Sequence, residues 1–176
     1  MIEATYPKAH RTATSLSGKK GGVVALSIAR QGISAGNVPR GGRTKGGMNT
    51  KLHAICDGQG RPLNEFVTAG QVNDHVGARA LASSLPKVDW LLGDRGYDVD
   101  WFREALKDKA TRAWIPGRKQ RKKPVKYDKR RDKHRNQIEI MFGRLKDRRR
   151  VATRYDRCPK IFLSAIALAA LVIYWL

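Results

Sequence analysis

An α/β domain built around a mixed sheet is the fold class this sequence predicts, and three observations predict it. VDWLLGD (88–94) and TRAWIP (111–116) are short, nearly continuous apolar runs, the pattern of strands buried on both faces. Between them VDWFREALKDK (99–109) places Trp101, Phe102, Ala105 and Leu106 at helical spacing. MNTKLHAICD (48–57) and PLNEFVTAG (62–70) alternate on either side of Gly58-Gln59-Gly60, the mark of a β-hairpin. At 176 residues with 41% hydrophobic content, one domain spanning 1–176 with one core is expected.

The elements follow in order. Residues 2–8 read as a short strand stopped by Pro7. Residues 18–47 hold paired glycines at 21–22, 41–42 and 46–47 among Lys19, Lys20, Arg30, Arg40, Arg43 and Lys45, which makes a basic Gly-rich loop with at most a short ordered piece at Val23–Ile28. The spacing G-x-x-x-x-G-K-[ST] is missing, so this loop is not a P-loop. After the hairpin, Asn73 is a candidate N-cap for a helix running to Leu85 and closed by Pro86. Asp98 or Asp100 is placed to cap the next helix. Ile138, Met141, Phe142 and Leu145 fall at i, i+3, i+4 and i+7 and predict a helix over 133–148 with one apolar stripe under a basic coat. The last run, from Lys160, predicts a helix buried on most of its circumference. No internal repeat is present.

Composition bounds the function. Lys and Arg number 36 against 15 acids, a net of +21, and residues 117–150 alone carry sixteen Lys/Arg against four acids, or +12. So concentrated a charge points to a polyanion, first of all nucleic acid. Cys56 and Cys158 show neither CxxC nor Cys/His spacing, which excludes a zinc motif and a disulfide framework and leads us to expect a reducing, cytoplasmic location. The N-terminal residues do not have the pattern of a signal peptide. Residues 161–176 are uncharged and apolar, but they fall short of the ~20 residues a membrane span requires. A buried helix and no membrane partner are therefore expected, with a membrane anchor as the lesser alternative.

Three acids are candidates for chemistry. Asp94 ends an apolar strand and precedes Arg95-Gly96-Tyr97, the strand-end position where functional groups gather in α/β sheets; a turn-closing or capping role is the alternative. Glu139 is the one acid between Lys133 and Lys146, readable either as a surface ion pair or as a partly buried ligand beside Ile138 and Ile140. Glu3 on the first strand could supply a third carboxylate. Three carboxylates drawn from strands and a helix are what a two-metal phosphoryl-transfer site requires. His10, His53, His75 and His134 lack ligand spacing, Trp90, Trp101, Trp114 and Trp175 read as core, and Asp57 reads as a turn former.

The segments AHRTATSL (9–16), GRTKGGMNTKLHA (42–54), LLGDRGYD (91–98), YDKRRDKHRNQIEIMFGRLKD (127–147) and RRVATRYDR (149–157) resemble, in this order and over essentially the whole chain, the DDE transposases of bacterial insertion sequences, in particular the insertion-sequence-five group. The resemblance implies an RNase H-like mixed sheet with flanking helices, in which two Asp and one Glu bind two Mg²⁺ ions for cleavage and strand transfer at transposon ends. Asp94 matches the second Asp and Glu139 the final Glu. The family's Y-R-E-K signature is matched by Arg135, Glu139 and Lys146, with Asp132 in the tyrosine position. The first Asp falls at Glu3, whose extra methylene moves the carboxylate in a site that tolerates little displacement, so activity is expected to suffer. Arg135 and Lys146, with Arg95, Lys51, Arg43 and Lys45, are the expected DNA contacts. The first strand is expected to be partly missing and the chain to be the downstream part of a transposase. Its implied partners are double-stranded DNA at transposon ends and target, and a second copy or a full-length transposase, on the bacterial nucleoid. Two readings compete: a catalytically inactive DNA-binding remnant, and a basic RNA-associated protein. The two buried βα units weigh against the second of these.

Overall fold

The computed structural model describes residues 1–9, 24–25, 43–44, 47–48, 50–70, 72–121, 124–125 and 133–176; at 24–25, 43–44, 47–48 and 133 the backbone alone is described. Most of the Gly-rich loop 18–47, and with it Lys45, lies outside the described residues, as do His10 and Asp132, and Arg43 is described as backbone only.

The centre is an antiparallel sheet. Strand β1 (Ile2–Thr5) pairs with β6 (Thr50–Cys56), and β6 with β7 (Pro62–Ala69), through the registers Glu3↔Ala54 and Ala54↔Glu65. β3 (Val24–Ala25) adds to the far side of β7, within the stretch expected to be ordered. On its other side β1 meets the chain after β8 (Trp90–Leu92) through one parallel bridge, Ile2↔Gly93, and β8 pairs in parallel with β9 (Arg112–Trp114). β1, β7, β8 and β9 therefore run the same way and end at one edge. Two small pairs stand apart: β2 (Lys8–Ala9) parallel to β10 (Thr153–Arg154), and β4 (Arg43–Thr44) antiparallel to β5 (Gly47–Met48).

Side chains alternate across the pleat, so β6 feeds two cores. Leu52, Ala54 and Cys56 join Ile138, Met141, Phe142 and Leu145 of α3 (Asn136–Lys146), Val151 of α4 (Arg149–Ala152), and Phe162, Leu163, Ile166 and Ala170 of α5 (Pro159–Tyr174). Ile55, with Ile2 and Phe66, joins Ala78 and Leu81 of α1 (Asp74–Ala82) and Phe102 and Leu106 of α2 (Asp100–Asp108). Helices cover both faces, and the apolar stripe read in residues 138–145 is the one α3 buries.

Four expectations are corrected. α1 stops at Ala82, where the Ser83 and Ser84 hydroxyls turn back onto the Ala80 and Leu81 carbonyls at 3.3 and 3.1 Å. Neither Asn73 nor Asp98 caps a helix with its side chain. Asp98 is instead buried, accepting hydrogen bonds from Arg103 Nε at 2.7 Å, the Arg118 amide at 2.7 Å and Arg121 at 3.1 Å. Burial opposes its charge, but these donors outweigh it and hold the carboxyl below its usual range. None of the four tryptophans is fully buried; Arg79, Arg112 and Arg61 lie over the rings of Trp101, Trp90 and Trp175 at 5.4, 4.8 and 5.2 Å. Lastly, α5 buries one face only: Ile161, Leu168, Leu171, Val172 and Trp175 are 44–62% exposed. Among the described residues no further element lies over them.

Candidate active site

Asp94 follows β8 directly. Gly93 is required before it: a Cβ there would come within 2.9 Å of Ile2 Cγ2, so only glycine lets the chain cross β1 this closely. The backbone then turns through a 3₁₀ segment, Arg95–Tyr97, with the Tyr97 amide donating to the Asp94 carbonyl at 2.9 Å. The Asp94 side chain takes no part in that cap, which leaves its half-exposed carboxylate available. Glu139 stands in the first turn of α3, also half exposed. Arg135, in the 3₁₀ turn Lys133–Arg135 just ahead of α3, lies between the two, 3.5 Å from Asp94 Oδ1 and 3.8 Å from Glu139 Oε1.

Glu3 completes the group from β1, on the sheet face that α3 covers. Its Oε2 is buried with no hydrogen-bond partner among the described residues. Burial pushes its carboxyl up to about 7; Arg135 opposes the rise, and the charges of Glu139, Asp94 and Asp74 add to it. The three acids singled out in the sequence thus share one electrostatic neighbourhood, drawn from a strand, a strand end and a helix. Lys146, near the end of α3, donates to Thr5 Oγ1 on the same face of β1, and burial lowers its pKa. Arg95 is exposed on the turn beside Asp94.

Lys51 departs from its expected place on the DNA-facing surface. It is 4% exposed, and its ammonium is committed to the Val72 carbonyl at 2.7 Å and Asp74 Oδ1 at 3.0 Å. Its partner Asp74 is the acid that sequence reasoning missed. Asp74 opens α1 just beyond β7, at the edge where β8 also ends, and its Oδ2 would lie 2.3 Å from a Cβ on Gly96. The strand-end criterion that selected Asp94 applies equally to Asp74. Beneath them His53, stacked on Phe66, bonds Tyr97 Oη at 3.3 Å and Thr68 Oγ1 at 3.0 Å, and burial drives its pKa down to about 3, so it is a neutral core histidine.

Carboxylate oxygens are the donors a hard divalent ion selects, and the buried, unpartnered Glu3 Oε2 is an oxygen such an ion would satisfy. The three acids thus offer oxygen donors of the type a hard divalent ion takes. Among the described residues, however, no three His, Cys, Asp or Glu side chains form a metal cage, and a guanidinium lies between two of the acids.

Comparison with known proteins shows the family. A family model for the transposase DDE domain matches residues 91–176, the stretch that holds Asp94, Arg135, Glu139 and Lys146. A sequence assigned as a transposase of insertion sequence element IS6501 from Brucella ovis is 37% identical over 129 residues, covering 72% of this chain and 98% of the relative. Another, assigned to insertion sequence element IS402 of Burkholderia cepacia, is 28% identical over 155 residues, covering 77% of this chain and 71% of the relative. No solved structure matches. The chain belongs to the DDE transposases of bacterial insertion sequences.

Proposed function

We propose that this chain is an RNase H-like transposase catalytic domain that binds double-stranded DNA and transfers phosphoryl groups with Mg²⁺, using Glu3, Asp94 and Glu139 as metal ligands. The observation that carries this reading is the convergence of those three acids on Arg135, from elements far apart in sequence. The RNase H-like assignment is supported by the strand order, in which β6 antiparallel and then β7 parallel to β1 lie on one side and β8 and β9, both parallel to β1, follow on the other. When bound, Mg²⁺ supplies the Lewis acidity that activates the attacking oxygen and stabilises the leaving one. Arg135 neutralises Asp94 and Glu139 before the ion binds, then turns to the DNA phosphate beside it. Lys146 and Arg95 hold the backbone on either side as cations, fixing register without reading sequence. Arg43 and Lys45, in the Gly-rich loop, are further candidate phosphate contacts by sequence; Lys51, already paired inside, is not one of them. Transposon ends and target DNA are the substrates, on the nucleoid in the cytoplasm.

A metal titration combined with a cleavage assay tests the proposal. Mn²⁺ binding followed by calorimetry is expected to weaken at least ~10-fold in Asp94→Asn and Glu139→Gln, and to tighten roughly threefold or more in Arg135→Gln, because the competing cation is gone. Glu3→Asp is expected to raise Mg²⁺-dependent cleavage of transposon ends by about 10-fold or more as the ligand geometry improves. Mn²⁺ affinity indifferent to both acids sinks the metal reading. A second reading, DNA binding without catalysis, draws on the lack of a formed cage among the described residues; it predicts unchanged DNA affinity with no cleavage by the Glu3→Asp form.

A further inference from the structure

Asp74 stands apart from the three acids, behind the turn that carries one of them. Glu3 lies opposite Ala54, whose side chain joins the α3 core, whereas Lys51, the ion-pair partner of Asp74, shares the α1 face of β6 with Ile55. Lys51 draws several segments together there. Its Nζ donates to the Val72 carbonyl at 2.7 Å and to Asp74 Oδ1 at 3.0 Å, and lies 4.9 Å from the centre of the Tyr6 ring, just past the end of β1. Burial works against this charge, but Tyr6 and Asp74 outweigh it and keep the pKa above its usual value. With Oδ1 held by Lys51, the other oxygen of Asp74 is pressed against the turn that follows Asp94. A Cβ on Gly96 would lie 2.3 Å from Oδ2 and 3.1 Å from Cγ of Asp74. Gly96 has no positive φ, so glycine is required there for the close approach and not for the backbone conformation. The same turn is pinned by Arg118 Nη2, which donates to the Gly96 carbonyl at 2.9 Å, and by the Tyr97 amide, which donates to the Asp94 carbonyl at 2.9 Å. Any shift of Asp74 is therefore passed through two residues of a tight turn to the Asp94 carboxylate.

We propose that the Lys51–Asp74 pair positions the acidic site: it sets the turn Arg95–Tyr97, and through it the place of the Asp94 carboxylate, an inference that rests on the metal reading above. Asp74 is a positioning residue and not a ligand, because one of its oxygens is spent on an ammonium and the other is packed on Gly96. A metal site tolerates only small displacements of its ligands, and a turn left to itself does not hold a side chain that closely. Tying the turn to a buried ion pair that also holds the ends of β1 and β7 gives Asp94 the rigidity of the sheet.

Mn²⁺ binding by the full chain, read from the paramagnetic resonance of the free ion, tests this. Lys51→Met/Asp74→Ala removes both charges together, so the net charge is unchanged and no buried ion is left unpaired. It is expected to weaken Mn²⁺ binding about 10-fold. Asp74→Asn, which keeps the contact with Gly96, should lose no more than about threefold. Gly96→Ala, whose methyl would meet Asp74, should also cost about 10-fold, yet add nothing in the Lys51→Met/Asp74→Ala background. The paired deletion should add under about twofold to Asp94→Asn and its full loss to Glu139→Gln, because it acts through Asp94 alone. Without metal, the Tyr97 amide should exchange about 10-fold faster in the paired deletion while the amides of α5 keep their protection. Mn²⁺ affinity that falls with Asp94→Asn but not with the paired deletion overturns this inference alone; affinity that ignores Asp94→Asn fails the metal reading and takes this inference with it. An Asp74→Asn loss as deep as that of the paired deletion overturns it too, since charge at a distance would then suffice. So do equal losses in the Asp94→Asn and Glu139→Gln backgrounds, or faster exchange across α5, which would make the pair a general stabiliser.

Discussion

Glu65 shows how much a single buried group can cost. It lies on β7 opposite Ala54, 9% exposed, with Oε1 lacking a hydrogen-bond partner among the described residues. Burial pushes its carboxyl from 4.5 up to about 7. Between those values the folded state keeps a proton that the unfolded state has released, so its contribution to stability falls as pH rises through the window. Glu65→Gln removes that loss. The variant should equal the parent at pH 4 and exceed it by roughly 2–3 kcal/mol at pH 8, read by urea unfolding at both. His53, held neutral, acts in the opposite direction below about 6.5, so the difference between variant and parent isolates Glu65. An advantage of equal size at both pH values would mean that the buried charge is not the cause. Glycine is an equally local constraint at Gly77, where a Cβ would come within 2.4 Å of His53 Nδ1.

Among the elements, the segment after β9 depends on Asp98. That carboxylate joins the start of α2 to residues 118–121, and its side chain is fully buried between Arg103 and Arg121. Asp98→Ala would leave two guanidiniums facing each other and the Arg118 amide without its acceptor. A loss of roughly 3–5 kcal/mol is expected, together with faster amide exchange over 117–121. Asp100, which also pairs with Arg121 but is largely exposed, is the control: Asp100→Ala should cost under ~1 kcal/mol. Similar losses from the two variants would contradict the anchor role. The sequence marked both residues only as possible caps, because capping is a local pattern, whereas an acid that binds a segment twenty residues away leaves no local signature.

Across the whole molecule the +21 charge sets how DNA should bind. If about six phosphates are neutralised, affinity should drop about 10³-fold between 50 and 200 mM salt. Removing one cation should then depend on where its charge points. Arg95→Ala is expected to reduce the slope of log affinity against log salt by about one, while Lys51→Met should leave the slope alone, since its ammonium is spent on Val72 and Asp74. A slope lowered by Lys51→Met would show that this pair opens on DNA.

The sequence by itself determined the element order, the hairpin, the stripe that α3 buries, and Asp94 and Glu139 as acids to watch. Each of these is written in period, in turn residues or in a strand end, and so is readable over a few neighbouring positions. Only the tertiary structure decided that the charge of Asp74 reaches Glu3, that Arg135 lies between Asp94 and Glu139, that Lys51 is buried, and that α5 keeps one face exposed among the described residues. Those outcomes depend on which strands pair and which helices run out of partners. Pairing across some fifty to one hundred and forty residues is settled by the packing of the whole core, and no local window of sequence contains it.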